Sequence, residues 1–174
     1  MTTSLRQGDT VASTTFVSSG PLEVYELISD VTRFPEWSPE CVRCEWSGEK
    51  TFRGWNRRRF GRWSTASRVD VADPGREFAF VVQMLGRDFT RWAYRLAEDG
   101  AGTRITEEVT MCIDLPYVAL LFERLALRVD DRRADLRGNL DHSLRRIKEI
   151  VDRETATPLL DGSIVINGTD LAEA

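Results

Sequence analysis

Phe16 to Trp46 reads FVSSGPLEVYELISDVTRFPEWSPECVRCEW, and this stretch decides the fold. It compresses a strand end, two short helices and the start of a second strand. Ser19 can cap the first helix, and Pro21 suits its first turn, where an amide has no intrahelical partner. Leu22, Val24, Tyr25, Leu27 and Ile28 give that helix an apolar face. Asp30 can cap a second, very short helix, which Pro35 and Pro39 keep from extending.

Upstream, Thr10 to Val17 is rich in Thr, Val and Phe and reads as a first strand. Downstream, from Cys41 to Ile113, strand-like runs alternate with short turn signals. These are Ser47-Gly48-Glu49, Phe60-Gly61, Asp73-Pro74-Gly75, Leu85-Gly86-Arg87 and Asp99-Gly100-Ala101-Gly102. Connections this short imply an antiparallel meander, because parallel crossovers need a dozen or more residues. A last long helical pattern runs from Tyr117 to Val151, with Val118, Phe122, Leu125, Val129, Leu136, Leu140, Leu144, Ile147 and Val151 on one face. The Asp130 to Arg133 stretch either breaks it or interrupts its apolar stripe. Residues 155–174 lose the periodicity and are expected to form a disordered tail, leaving 10–154 as one domain. Ser163 to Ile166 or a sheet edge would be the contact of a homodimer, a question the sequence leaves open.

The chain has 174 residues, 41% of them hydrophobic, enough for one domain with a substantial core. It shows no apolar run of membrane-spanning length and no secretory signal, so a soluble, cytoplasmic protein without stable membrane association is expected. The net charge of -4 gives no general electrostatic reason to expect nucleic acid as a partner. Arginines interleaved with aromatics between Trp55 and Trp63 could neutralise an anion, or could form a solvated hairpin tip; the acidic balance favours the tip. Cys41 and Cys44 form a C-x-x-C, but residues three apart on a strand point to opposite faces. With no second Cys pair and only His142 as imidazole, no metal site is expected.

Alternation along the strands identifies an inner face. Trp63, Thr65, Ser67, Val69 and Val71 share one side of their strand, and Arg62, Ser64, Ala66, Arg68 and Asp70 the other. Thr90, Trp92, Tyr94 and Leu96 face inward, with Arg91, Ala93 and Arg95 outward. Thr103, Ile105, Glu107, Val109 and Met111 share a face, which makes Glu107 the odd residue: a carboxylate among apolar side chains must be paired, protonated or in contact with internal water. Arg133, near the azimuth of the helical stripe, is one partner for it. A bulge near Gly102 would instead turn Glu107 to solvent. Asn56, Thr65, Ser67 and Tyr94 could orient a ligand in the same cavity, while Trp63, Phe80 and Trp92 supply apolar surface or plain core.

The pattern Pro21-x-x-x-Tyr25-x-x-Ile28-x-Asp30-Val31-x-x-Phe34-Pro35-x-Trp37-Ser38-Pro39 resembles the opening of the START/Bet v 1-like superfamily, particularly its polyketide cyclase/dehydrase and lipid-transport branch. Phe52 to Arg57, Arg62-Trp63, Asp73 to Phe80, Thr90 to Tyr94 and Gly102 to Glu107 continue the resemblance in order, and Leu136 to Ile147 resembles the gripping helix. The resemblance implies an α+β helix-grip fold: a curved antiparallel sheet of about seven strands wrapped around a long C-terminal helix, with two short helices after the first strand. It further implies a hydrophobic small molecule as partner (aromatic, polyketide-like or lipid-like) and no cofactor. The protein would act as a carrier, sensor or sequestering protein. Alternatives are a metal-free polyketide cyclase or dehydratase, and a protein-interaction module. In the cyclase reading Glu107 would be a catalytic base, with Tyr94 or Arg133 as donor.

Overall fold

A computed structural model describes residues 5–59, 61–84, 86–114 and 131–156. Seven strands are present: β1 (Thr10–Val17), β2 (Cys41–Gly48), β3 (Thr51–Arg58), β4 (Gly61–Asp73), β5 (Glu77–Met84), β6 (Arg87–Asp99) and β7 (Gly102–Met111). Between β1 and β2 lie α1 (Pro21–Ser29) and a 3-10 turn (Val31–Glu36); α2 (Arg132–Ala156) follows the sheet. The sheet is antiparallel throughout, in the order β1-β7-β6-β5-β4-β3-β2. The expected meander is therefore present, and β1 joins it beside the last strand. Gly102 permits that junction, because a Cβ there would lie 2.2 Å from the Val17 carbonyl oxygen.

The start of α1 differs from the sequence reading, and the start of α2 decides between two alternatives. Gly20, not Ser19, is the N-cap of α1: Pro21 occupies the first turn, so the residue before it takes the cap, and the Ser19 hydroxyl donates to Glu23 instead. Asp30 caps the 3-10 turn as expected, accepting the Thr32 amide at 3.0 Å. The carboxylate of Asp131 accepts the Ala134 amide at 3.1 Å at the start of α2. The long pattern from Tyr117 to Val151 is thus broken at Asp131, and α2 continues past Val151 to Ala156. Val118, Phe122, Leu125 and Val129 of the expected stripe, and residues 157–174 of the expected tail, lie outside the described residues.

α2 packs against β1 and β7, and Ser13 on β1 donates a hydrogen bond to Asp141. Its buried stripe is Leu136, Leu140, Ser143, Leu144, Ile147, Ile150 and Val151. The last four join Val17, Val24, Ile28, Val31, Trp37 and Phe78 in a packed core, in which Phe34, Phe52, Phe78 and Phe80 form a connected ring cluster. Leu136 and Leu140 join a second cluster with Leu5, Val11, Phe89, Val109 and Met111. Trp92 packs against both. On the opposite face of the sheet, Arg91 bridges Asp70 and Glu77 and Arg95 reaches Glu108, cross-strand pairs of modest worth at this exposure. Ala93, expected on that wet face, is fully buried there.

Candidate functional site

Between the two clusters the concave face of the sheet and α2 enclose a cavity of about 850 Å³. The alternation of β3, β4, β6 and β7 presents Asn56, Trp63, Thr65, Ser67, Trp92, Tyr94 and Glu107 to it, and Phe80 of β5 joins them. The lining is mainly apolar with a few polar groups, the pattern of a small-molecule pocket.

Glu107 is the sharpest feature. It is 1% exposed, lies in register opposite Tyr94, and its Oε2 has no hydrogen-bond partner among the described residues. The Trp37 indole donates to the Tyr94 hydroxyl at 3.3 Å, and Tyr94 in turn donates to Glu107. Burial pushes the Glu107 carboxyl up to about 8, against the lowering effect of the Tyr94 hydrogen bond. Burial and the neighbouring carboxylate both raise Tyr94 well above its usual range. Near neutral pH, Glu107 is therefore a neutral acid inside an apolar wall, with proton and lone pairs available to a ligand.

Arg133 is not part of this arrangement. It is exposed and bonds the Thr10 carbonyl at 3.3 Å and Asp9 at 3.4 Å. One residue is 100° on a helix, and the side chain that lines the cavity is its neighbour Arg132. Arg132, Asn139 and Ser143 share the spacing i, i+7, i+11 and so occupy one stripe of α2; polar residues on the helical stripe were the signal that could have found them. At this end of the cavity the Arg58 guanidinium contacts Glu40 at 3.0 Å and also holds Asp135, to which Arg132 donates at 3.4 Å. Asn139 donates to Glu40 at 3.2 Å. The cluster ties the end of β3 and the approach to β2 to the first turns of α2, and both carboxylates raise the Arg58 guanidinium further.

The cysteines also depart from expectation. Strand β2 slips register against β3 between Cys41, opposite Asn56, and Arg43, opposite Trp55. The extra residue, Val42, is exposed, and the bulge turns Cys41 to the same side as Cys44. Both line the cavity, and the Cys41 thiol donates to the Arg43 carbonyl at 3.3 Å. The neighbouring Cys44 thiol lowers Cys41, while Cys41 and burial raise Cys44. Among the described residues no group of three or more His, Cys, Asp or Glu side chains could hold a metal ion, and no helix is long and apolar enough to cross a membrane.

Solved structures share this architecture. The di-domain ARO/CYC StfQ from the steffimycin biosynthetic pathway superposes with a TM-score of 0.65 at 18% identity, over 85% of this chain and 52% of that one, so the chain spans about half of StfQ. A START superfamily protein from Mycobacterium smegmatis gives 0.62 at 15% identity, over 84% and 99% of the two chains. A polyketide-cyclase-like protein from Corynebacterium glutamicum gives 0.54 at 26% identity, over 87% and 96%. No curated protein matches the sequence. The family model described as polyketide cyclase / dehydrase and lipid transport matches residues 9–152, the whole sheet and most of α2. The sheet order, the helix across it and that match agree: the chain belongs to the polyketide cyclase/dehydrase and lipid transport family.

Proposed function

We propose that this protein binds a hydrophobic small molecule bearing a hydrogen-bond-accepting oxygen, such as an aromatic or polyketide-like ketone, and acts as its carrier, sensor or sequestering protein. The observation that carries this reading is the buried Glu107 carboxyl, one oxygen of which has no hydrogen-bond partner among the described residues, in the wall of a largely apolar cavity. A buried polar group left without a partner costs roughly 1–3 kcal/mol, and a ligand carbonyl accepting the Glu107 proton removes that cost.

The cyclase or dehydratase reading is favoured by one specific feature, the hydrogen-bonded chain Trp37–Tyr94–Glu107. A carboxyl that stays protonated to about 8 suits proton donation to a developing oxyanion better than base catalysis at neutral pH. The carrier reading stands first because a protonated Glu107 donates a hydrogen bond to a ligand and is not a base near neutral pH.

The test is a titration of the protein with aryl ketones, read by quenching of its tryptophans. Glu107→Leu should weaken binding about threefold to tenfold, the worth of one hydrogen bond. Glu107→Gln, which keeps a donor, should bind nearly as wild type. Equal affinity of the Leu variant and wild type for every ketone would overturn the reading. Conversion of a poly-β-ketone substrate by wild type but not Glu107→Leu would move it to the enzyme.

A further inference from the structure

The bulge in β2 makes a second chemical feature that ketone binding does not use. It places two thiols on one side of a strand whose regular alternation would separate them. Both belong to the wall of the same cavity, where Cys44 is buried and Cys41 half-buried. Phe34, Trp37 and Phe52 line the hollow with them, and Asn56 lies opposite Cys41. A pair of adjoining thiols binds a thiophilic centre far better than one thiol, because the second bond forms within the same complex.

We propose that Cys41 and Cys44 form a dithiol site for trivalent arsenic carrying an apolar aryl group, with the aryl body seated in the cavity. The step is a condensation without change of oxidation state. Two As–S bonds form, the As=O bond of the arsenous compound breaks, and its oxygen leaves as water with the two thiol protons. Soft thiolate ligands favour such centres over hard ones, which distinguishes this pair from the carboxylate-rich remainder of the surface. Attack begins at Cys41, the more accessible thiol and the one whose ionisation the neighbouring Cys44 thiol favours. Cys112, half-buried and outside the cavity lining, is a built-in single-thiol control.

The experiment treats the freshly reduced, folded full chain with phenylarsine oxide and reads intact mass. The expected result is one adduct, of the mass of the oxide less one water, in wild type and Cys112→Ser. It should be absent from Cys41→Ser and Cys44→Ser, resist a monothiol, and be reversed by a small dithiol such as 2,3-dimercaptopropanol. Because Cys44 is buried and its replacement could unfold the chain, Cys41→Ser with an unchanged circular dichroism spectrum is the deciding variant. Retention of the adduct in folded Cys41→Ser, its loss in Cys112→Ser, or no adduct in wild type would each overturn the proposal.

Discussion

Along α2 the side chains change character. Leu144, Ile147, Ile150 and Val151 meet aliphatic and aromatic residues of β1, α1, the 3-10 turn and β5 in a filled core. Arg132, Asn139 and Ser143, toward the start of the same helix, border empty space. One sheet and one helix thus build both a packed end and a hollow one. Close packing supplies stability, and a void forfeits the contacts its lining would make, so the packed end must hold the hollow end open.

Truncation at the packed end should give the largest effect. Phe78→Ala removes a ring that is 2% exposed and flanked by Tyr25 and Phe80, and should cost about 3–5 kcal/mol in urea unfolding. Trp92→Ala should cost less despite its larger ring, because Trp92 already faces the cavity; a greater loss there would break the contrast.

The next largest effect is pH-dependent. Glu107 binds its proton more tightly in the folded chain, at about 8 against an ordinary 4.5, so its contribution is full below 4.5 and is lost as pH rises through 8. Wild type should lose on the order of a few kcal/mol between about pH 5 and about pH 9 from this group. Glu107→Gln should flatten that dependence and be the more stable protein at the alkaline end. Parallel pH profiles of thermal unfolding would contradict the burial argument.

The ion-pair cluster bordering the hollow should matter less. Arg58→Ala leaves Glu40 and Asp135 facing one another with less cationic charge, at side-chain exposures of 22% and 13%. A loss of about 1–2 kcal/mol is expected, between the values of exposed and buried pairs, and it should shrink in high salt. The smallest effect should be favourable. Gly138 is exposed on α2 with no atom within 4 Å of a Cβ placed there, so Gly138→Ala should add about 0.5–1 kcal/mol.

Much of the fold could be read from local signals. Turn residues between β2 and β7 marked every hairpin, and period-two alternation placed Ile105, Glu107 and Val109 on one face, where all are buried. The errors were of another kind. The Cys41–Cys44 pair depended on one inserted residue, and a bulge leaves no clear trace in alternation. Arg132, not Arg133, lines the cavity, because an azimuth counted from Tyr117 carries no fixed phase into a helix that starts at Arg132. Ser19 was a good cap by residue type, but Pro21 fixed where the helix began. Alternation can nominate a face; it cannot show that the face borders a hollow, which depends on how far the helix stands from the sheet.

The position of β1 beside β7 has a consequence in time. Thr10 pairs with Thr110, a hundred residues later, whereas each neighbouring pair from β2 to β7 closes through a short turn. The meander can assemble from local contacts, but β1 must wait for a long loop to close, which slows folding. During synthesis the first strand leaves the ribosome well before β7, its sheet partner among the described residues, exists. This chain should therefore acquire its complete sheet only after β7 has emerged, with its N-terminal strand exposed to chaperones until then.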